Sequence, residues 1–471
     1  MKKEDKIAYF DSIAPKSDWW KQRNRYYHSE LERLLKFIIL PDSSLLEIGC
    51  GTGDFIGHLR PKRGVGIDFS PRMIKIAKEK YPNFTFLVDD AEDLLLDEKF
   101  DYVIMSELVG HLSDVWQAFR ELKKVTRPET RVIITYYNYL WEPLLKLGEK
   151  LRLKMPQYFQ NWLSLEDIEN LLDLNGYEVV QKGTRLLFPI NIPFLSSLLN
   201  RFIAKLPLIK KLCLVEYIVA KEKNQCFQIM DYSCSVIIPC KDEAGNIEAA
   251  VERTPKMGNH TELIFVDGNS IDGTVEKIEE MIKRYKGNKD IKLIHQGAGK
   301  GKGDAVRKGF AAASGDILLI LDSDLTVPPE DLPKFHLAIA EGNGEFINGT
   351  RLVYQMEKQA MRYLNLIANK LFSWIFTWLL EQRIKDTLCG TKALRKKDYE
   401  KIAKNRAFFG DFDPFGDFDL LFGAAKLNLK MAEIPIRYRE RVYGSTKISR
   451  FKHGWLLLKM CVVAFRKLKL N

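Results

Sequence analysis

The sequence has few cysteines and arranges none of them in a pattern. Seven are present, Cys50, Cys213, Cys226, Cys234, Cys240, Cys389 and Cys461, an odd number without a C-x-x-C pair. That spacing excludes a disulfide framework and a zinc site, and it predicts reduced thiols in a cytosolic protein. The seven histidines are equally dispersed, with no H-x-x-x-H. No stretch reaches the ~18 uninterrupted apolar residues of a spanning helix. The opening MKKEDKIAYFDSIAPKSDWW lacks the apolar core of a secretory signal. A chain that stays on the cytosolic side is therefore expected.

What is present is enough for more than one core. A length of 471 residues predicts two or three domains. The hydrophobic fraction of 46% and charged fraction of 29% are those of a globular protein. A net charge of +11 favours anionic partners without choosing among nucleic acid, acidic lipid and phosphorylated substrates. Apolar strand-like runs alternate with helical patterns from residue 45 onward, which predicts parallel sheets flanked by helices. Leu45–Gly49, Val65–Phe69, Phe84–Val88, Tyr102–Met105 and Val132–Tyr136 form a first series, completed near Tyr177–Gln181 and Leu214–Ala220. Ser164 and Asp167 form a capping box for a helix that Asn175-Gly176 stops. A second series starts at Ser235 and continues through Leu263–Val266, Ile291–Ile294 and Ile317–Leu321. The expected division is 1–222, a polar linker 223–233, and 234–471.

The first strand runs into Glu47-Ile48-Gly49-Cys50-Gly51-Thr52-Gly53, ahead of a helix. Glycines there permit a tight turn and bring backbone N–H groups close to a ligand. Asp54 stands where a dinucleotide fingerprint needs glycine. E-x-G-x-G-x-G instead resembles motif I of the class I methyltransferases. Asp68 closes the second strand, where an acid can accept both ribose hydroxyls. Asp90 with Ala91, and Ser106 with Glu107, follow the third and fourth strands. The resemblance covers residues 40–222 and implies a Rossmann-like fold. It further implies S-adenosylmethionine held by Glu47, Gly49, Gly51, Gly53, Asp68, Asp90, Ala91 and Ser106. The fifth strand end, Tyr137-Asn138-Tyr139-Leu140, carries no [DN]-P-P-[FY]. His111 is a candidate base, or a packing residue. The aromatic N-terminal segment is a lid over the pocket or a helix on the sheet edge.

The second series carries Leu321-Asp322-Ser323-Asp324 at a strand end. Two carboxylates there can hold a hard divalent cation together with diphosphate oxygens. Around them stand Ile238-Pro239-Cys240-Lys241-Asp242-Glu243 and Val266-Asp267-Gly268-Asn269-Ser270-Ile271-Asp272-Gly273-Thr274. These resemble motifs of the inverting glycosyltransferase family two, of the type A fold. Asp242 replaces the usual asparagine and Gly268 the second aspartate. Asp386-Thr387-Leu388-Cys389-Gly390-Thr391-Lys392, Gly416-Asp417-Phe418-Asp419-Leu420-Leu421 and Tyr443-Gly444-Ser445-Thr446-Lys447 are similar to segments of the dolichol- and polyprenyl-phosphate mannose and glucose synthases. This resemblance spans 234–450. It implies a nucleotide-sugar donor held by Pro239, Lys241, Glu243, Asp267, Lys302 and Asp322. It places Mg²⁺ or Mn²⁺ on Asp322 and Asp324, and a lipid phosphate acceptor on Lys392, Arg439, Arg441 and Lys447. Asp324, Arg351 and, for a hydroxyl acceptor, Asp417 are the expected catalytic residues.

Leu371–Leu380 and Trp455–Phe465 read as interfacial helices with aromatics and basic flanks, which predicts peripheral attachment to the cytoplasmic face of a membrane. Phe194–Ala204 is a third such segment, with an inserted core helix the favoured reading. The expectation is therefore a bifunctional enzyme. It joins metal-dependent inverting sugar transfer to a polyprenyl phosphate with methylation of a small sugar or lipid intermediate. An alternative keeps the first domain as a cofactor-binding scaffold. No nucleic-acid partner is expected, because that reading leaves residues 234–450 without a role; the oligomeric state is open.

Overall fold

Strands covered by helices on both faces must be apolar throughout, and two early segments satisfy this almost completely. Positions 45–48 and 64–68 are all buried, with Glu47 and Asp68 as their charged members. The structure, a computed structural model of the chain, describes residues 3–157, 160–223, 232–299, 301–351, 363–406, 417–439, 441, 443 and 458–470, without the side chains of 363–368 and 417. It divides into two compact units, built on Met1–Lys223 and Asn224–Leu468. Both are α/β, each around one mixed sheet.

The first unit holds β1 (Ser44–Ile48), β2 (Arg63–Asp68), β3 (Thr85–Val88), β4 (Tyr102–Ser106), β5 (Arg131–Tyr137), β6 (Tyr177–Arg185) and β7 (Val215–Glu222). Their order is β3-β2-β1-β4-β5-β7-β6, with β1 to β5 parallel and β7 antiparallel to both neighbours. The chain leaves β1 toward β3 and returns to its other side at β4. Such a reversal opens a crevice at the strands' carboxyl ends, where Rossmann-like folds bind ligands. Ser164 and Asp167 form the capping box that starts the helix Leu165–Leu174. Two helices precede β1: α1 (Lys3–Arg23) and α2 (Arg25–Ile38). The second buries Tyr27, Leu31, Leu34, Leu35 and Ile38, one helical stripe turned to the core.

The second unit holds β8 (Cys234–Cys240), β9 (Thr261–Asp267), β10 (Asp290–His295), β11 (Ile317–Ile320), β12 (Phe346–Thr350), β13 (Lys392–Arg395) and β14 (Met431–Pro435), in the order β10-β9-β8-β11-β13-β12-β14. The apolar periodicity reveals β8 to β11 and misses the last three. These are short, and β12 and β13 bury Asn348 and Lys392 in register with each other.

Among the described residues no helix is long and apolar enough to cross a membrane. The helix Tyr363–Leu380 buries Phe372, Phe376 and Leu379 and exposes Leu371 and Trp374. The start of the segment 455–465 lies outside the described residues. The core reading of Phe194–Ala204 is overturned: Phe194 is 92% exposed, and the helix Leu195–Arg201 buries only Ser196 and Asn200.

Candidate functional sites

The carboxyl ends of β1, β2 and β4 open on a cavity of about 750 Å³, a size suited to a cofactor with a small acceptor. Glu47, Gly49, Gly51, Asp68 and Ser106 line it, with Glu107 and His111. Gly49, Gly51 and Gly53 all take left-handed φ, of 74°, 50° and 78°. At Gly51 a side chain would meet nothing within 4 Å, so the backbone hand, not crowding, requires glycine there. Asp68 is tied to this turn. Its Oδ2 accepts from the Gly51 N–H at 2.9 Å and its Oδ1 from the Ser70 N–H at 2.9 Å. Burial raises its carboxyl above the ordinary range.

Asp90 and Ala91 are not among the cavity-lining residues. Asp90 instead pairs with Lys3 at 2.5 Å and caps the Glu92 N–H. Its neighbour Asp89 holds the loop, accepting from the N–H groups of Asp90, Leu95 and Leu96. Tyr9, Phe10, Ile13 and Lys21 of α1 form one wall. The Phe10 ring packs edge-on against Phe69 and His111, with centroids 5.3 and 5.6 Å away. Of the two readings of the N-terminal segment, the structure has the one in which it covers the pocket.

The methyltransferase resemblance brings Ser106 and Glu107 to the pocket but does not disclose what packs on Glu107. Tyr27, from α2, donates to Glu107, whose φ is 55°. The Tyr137 ring lies 5.8 Å from that of Tyr27. Burial, then the Glu107 charge, pushes both phenols well above their ordinary range. The signal was a lone acid after an apolar strand, which gains its meaning only when α2 folds over it.

Glu47 is also a buried acid. Burial pushes its carboxyl up to about 8, and its Oε2 has no hydrogen-bond partner. The folded state favours the protonated form, so stability is lost as pH rises from the ordinary carboxyl range toward 8. Glu47→Gln is therefore expected to raise the thermal midpoint of the first unit at pH 8, by about 2–4 °C per kcal/mol recovered, and to change it little at pH 4.5. Scanning calorimetry without cofactor checks this; a lower midpoint at pH 8 would show that the apo fold uses the charge.

In the second unit the candidate residues gather where β8, β9 and β11 end. Pro239 lies within β8, opposite Val266. Lys241 follows, exposed. Glu243 is buried, accepting from Asn246 Nδ2 at 2.7 Å. Asp267 is 2% exposed and accepts from the Asn269 N–H at 3.1 Å, fixing the turn after β9. Gly268 donates its N–H to the Cys240 carbonyl, and a side chain there would press on Gln296 at 3.2 Å.

Asp322 forms an ion pair with Lys302. Burial would raise its carboxyl, but Lys302, Lys392 and Arg351 outweigh it and hold the group below the usual range. Gly390 packs against this pair so closely that a Cβ would collide with Asp322 Oδ2 and Lys302 Nζ, which accounts for glycine in Cys389-Gly390-Thr391. Asp324 pairs with Arg441 and accepts from the Thr326 hydroxyl at 2.8 Å. Arg441 also approaches Glu243, at 3.8 Å.

Arg351 is anchored. Its Nε and Nη2 meet Asp386 at 2.7 and 2.9 Å, and its guanidinium lies 5.1 Å from the Tyr438 ring centroid. Burial, opposed by this Arg351 pair, leaves Asp386 at about 2. Lys392 departs from expectation: it is fully buried in β13 and donates to the Cys389 carbonyl, so it faces Asp322 as a fixed charge and not solvent. Arg439 is exposed. Asp417 opens the helix Asp417–Lys426 with its side chain outside the described residues, and Lys447 lies outside them altogether.

Among the described residues no three or more His, Cys, Asp or Glu side chains gather as a metal cage. Two strand-end carboxylates nonetheless suit a hard cation that completes its shell with diphosphate and water oxygens. The basic side chains already against them match the charge such a diphosphate brings.

The comparisons with known proteins follow the same division. Residues 235–403 match the family "Glycosyl transferase family 2", and residues 19–182 match a "Methyltransferase domain". The dolichol-phosphate mannosyltransferase of Saccharomyces cerevisiae is 36% identical over 47% of this chain and 82% of its own length. That of Pyrococcus furiosus is 32% identical over 45% of this chain; the match spans only 58% of that relative. The undecaprenyl-phosphate 4-deoxy-4-formamido-L-arabinose transferase of Proteus mirabilis is 28% identical over 46% of this chain and 63% of its own. Among solved structures, a Thermotoga maritima SAM-dependent methyltransferase, described as a possible histamine N-methyltransferase, covers 46% of this chain and 98% of its own at 21% identity and a TM-score of 0.36. The chain is thus an enzyme that belongs to glycosyl transferase family 2, with a methyltransferase domain ahead of the glycosyltransferase region.

Proposed function

We propose that the chain is bifunctional. The second unit moves a sugar, with inversion, from a nucleotide diphosphate to a polyprenyl phosphate at the cytoplasmic face of a membrane. The first methylates a small sugar or lipid intermediate from S-adenosylmethionine. The observation that carries the sugar-transfer reading is the strand-end carboxylate pair Asp322 and Asp324, set among Lys302, Lys392, Arg351 and Arg441. The relatives' names add the acceptor class, since they specify dolichol phosphate and undecaprenyl phosphate.

In this reading the acceptor's phosphate oxygen attacks the anomeric carbon, and the bond to the diphosphate breaks on the opposite face. A lipid phosphate is already ionised at neutral pH, so the step needs charge guidance more than a base. Lys302 and Arg441 would swing from the carboxylates to the two anions. Arg351 and Lys392, held by Asp386 and Cys389, would supply fixed positive potential. Asp267 and Glu243, rigid in their turns, would frame the nucleotide. A divalent cation on Asp322 and Asp324 would neutralise the departing diphosphate.

For methyl transfer, the Gly49–Gly53 turn and Asp68 would hold the cofactor's amino acid and ribose portions. That would leave the space beside Glu107 and His111 for the acceptor. S-Adenosylmethionine supplies an electrophilic methyl group when bound.

The test incubates the full chain with polyprenyl phosphate, Mn²⁺ or Mg²⁺ and a panel of labelled nucleotide sugars. Label should enter the lipid phase, disappear with excess chelator and return when the metal is restored. Transfer that survives the chelator would remove the metal from this account. Transfer only to a hydroxyl acceptor would move the chemistry toward Asp417 as base.

A further inference from the structure

We propose that the first unit docks on an anionic lipid bilayer through two apolar segments, residues 139–153 and 186–212, and that its methyl acceptor reaches the cavity from that bilayer. The second clause rests on the methyl-transfer reading above; the first does not.

The segment 186–212 is built with its polar side inward. In the helix Leu195–Arg201 the buried residues are Ser196 and Asn200. The Ser196 hydroxyl donates to the Ile190 carbonyl at 2.6 Å and accepts from the Ile192 N–H at 2.7 Å. The Asn200 amide accepts from the Phe188 N–H and donates to its carbonyl, at 2.9 and 2.7 Å, and donates to the Tyr26 hydroxyl at 2.9 Å. Polar contacts, with the buried Leu186 and Ala204, therefore hold the segment to the body, and many of its other apolar side chains face out. Phe194 is 92% exposed and Leu208 85%, with Leu198, Phe202 and Leu212 about half exposed. A helix that packs on its own domain shows the opposite arrangement.

A second apolar surface adjoins it. The helix Glu142–Lys150 buries none of its residues and exposes Leu144 and Leu147, and Leu151 and Leu153 continue the surface. The Trp141 indole donates to the Leu212 carbonyl at 2.9 Å and the Asn138 amide to the Lys211 carbonyl at 2.9 Å, which joins the two segments. A contiguous apolar surface of this kind marks an interaction site.

Charge selects the occupant. Residues 186–212 contain no aspartate or glutamate and carry Arg201, Lys210 and Lys211 outside the core, with Lys205 buried. The other segment carries Lys146, Lys150 and Arg152 among its leucines against Glu142 and Glu149, with Lys146 paired to Glu142, so the cationic excess of the surface comes mainly from residues 186–212. Exposed aromatic and aliphatic side chains framed by cations suit an anionic lipid interface, where the apolar groups enter the acyl boundary and the cations meet headgroups. The surface also leads to the cavity. The first segment runs on to Met155 and Gln157, which line it, and the Asn200–Tyr26 bond fixes the second to α2, which supplies His28 and Leu31 to the same wall.

The test uses the full chain with phosphatidylglycerol-containing vesicles and with phosphatidylcholine vesicles. Hydrogen exchange should slow in peptides from 139–153 and 186–212 only with the anionic vesicles. Phe194→Ser/Leu208→Ser should weaken vesicle partitioning by about tenfold while sugar transfer in detergent micelles is unchanged. Protection confined to the second unit, or wild-type partitioning by the variant, overturns the docking surface. Protection that grows with protein concentration without vesicles assigns the face to a second copy and likewise overturns it. With labelled S-adenosylmethionine and vesicles doped with a membrane lipid extract, label should enter the organic phase. Label in water-soluble products alone overturns the membrane route, whereas no label in either phase sinks the methyl-transfer reading and leaves the exchange result standing.

Discussion

Asp324→Asn is expected to lower kcat/KM for sugar transfer by about a thousandfold while leaving the thermal midpoint of the second unit within about 2 °C. Two functions meet on this carboxylate. It accepts from the hydroxyl and N–H of Thr326, which fixes the turn after β11, and it pairs with Arg441. An asparagine oxygen can still accept from Thr326, so the turn should survive. The negative charge cannot be replaced. A neutral amide is a poor ligand for a hard cation carrying a diphosphate, and it removes one of the two charges that Arg441 meets.

Asp322→Asn provides the contrast. Asp322 faces Lys302, Lys392 and Arg351, and Lys392 is fully buried. Its neutralisation should cost stability as well as activity, because a buried cation loses its counter-charge. Asp324→Asn should thus separate catalysis from folding, and Asp322→Asn should not. Activity within tenfold of the parent in Asp324→Asn, measured at saturating Mn²⁺, would sink the metal assignment. Equal loss of midpoint in both variants would show that Asp324 also serves the fold.

Much of this arrangement was legible because parallel sheets announce themselves twice. Their strands read as apolar runs, and their chemistry collects where those runs end, so Glu47, Asp68, Asp267 and Asp322 stand out as acids in or after apolar stretches. Asp90 shows the limit. It occupies a strand-end position like the others, yet it faces Lys3 and a local turn. Strand ends say where a residue is, not which way its side chain points. Lys392 shows the limit in another way, since the basic residue expected to hold the acceptor phosphate is the buried start of β13. The helix Leu195–Arg201 was misread for a third reason. Its period is the same whether the polar stripe faces in or out, and only the partners of Ser196 and Asn200 decide. The Tyr27–Glu107 contact joins residues 80 positions apart, beyond the reach of any local pattern.

Asp68→Asn is expected to weaken S-adenosylmethionine binding by about a hundredfold, the loss of two charge-assisted hydrogen bonds. The structure shows why the conservative change is severe. Both carboxylate oxygens of Asp68 already accept backbone N–H groups, from Gly51 and Ser70. An amide must turn its NH₂ toward one of them, donor against donor, so the variant should lose the anchor of the Gly51 turn as well as the ribose contact. Titration calorimetry should find the same loss for S-adenosylhomocysteine, which shares the ribose and lacks the methyl group. A 2′-deoxy analogue of the cofactor should bind the parent weakly and lose less on mutation, because one of the two bonds is already gone. Burial raises the Asp68 carboxyl, so cofactor affinity of the parent should fall on the acid side as that group takes up a proton. The asparagine variant should not show this step. Affinity within threefold of the parent would remove Asp68 from the cofactor site; a pH step that persists in the variant would transfer it to another acid, of which the buried Glu47 is the nearest in character.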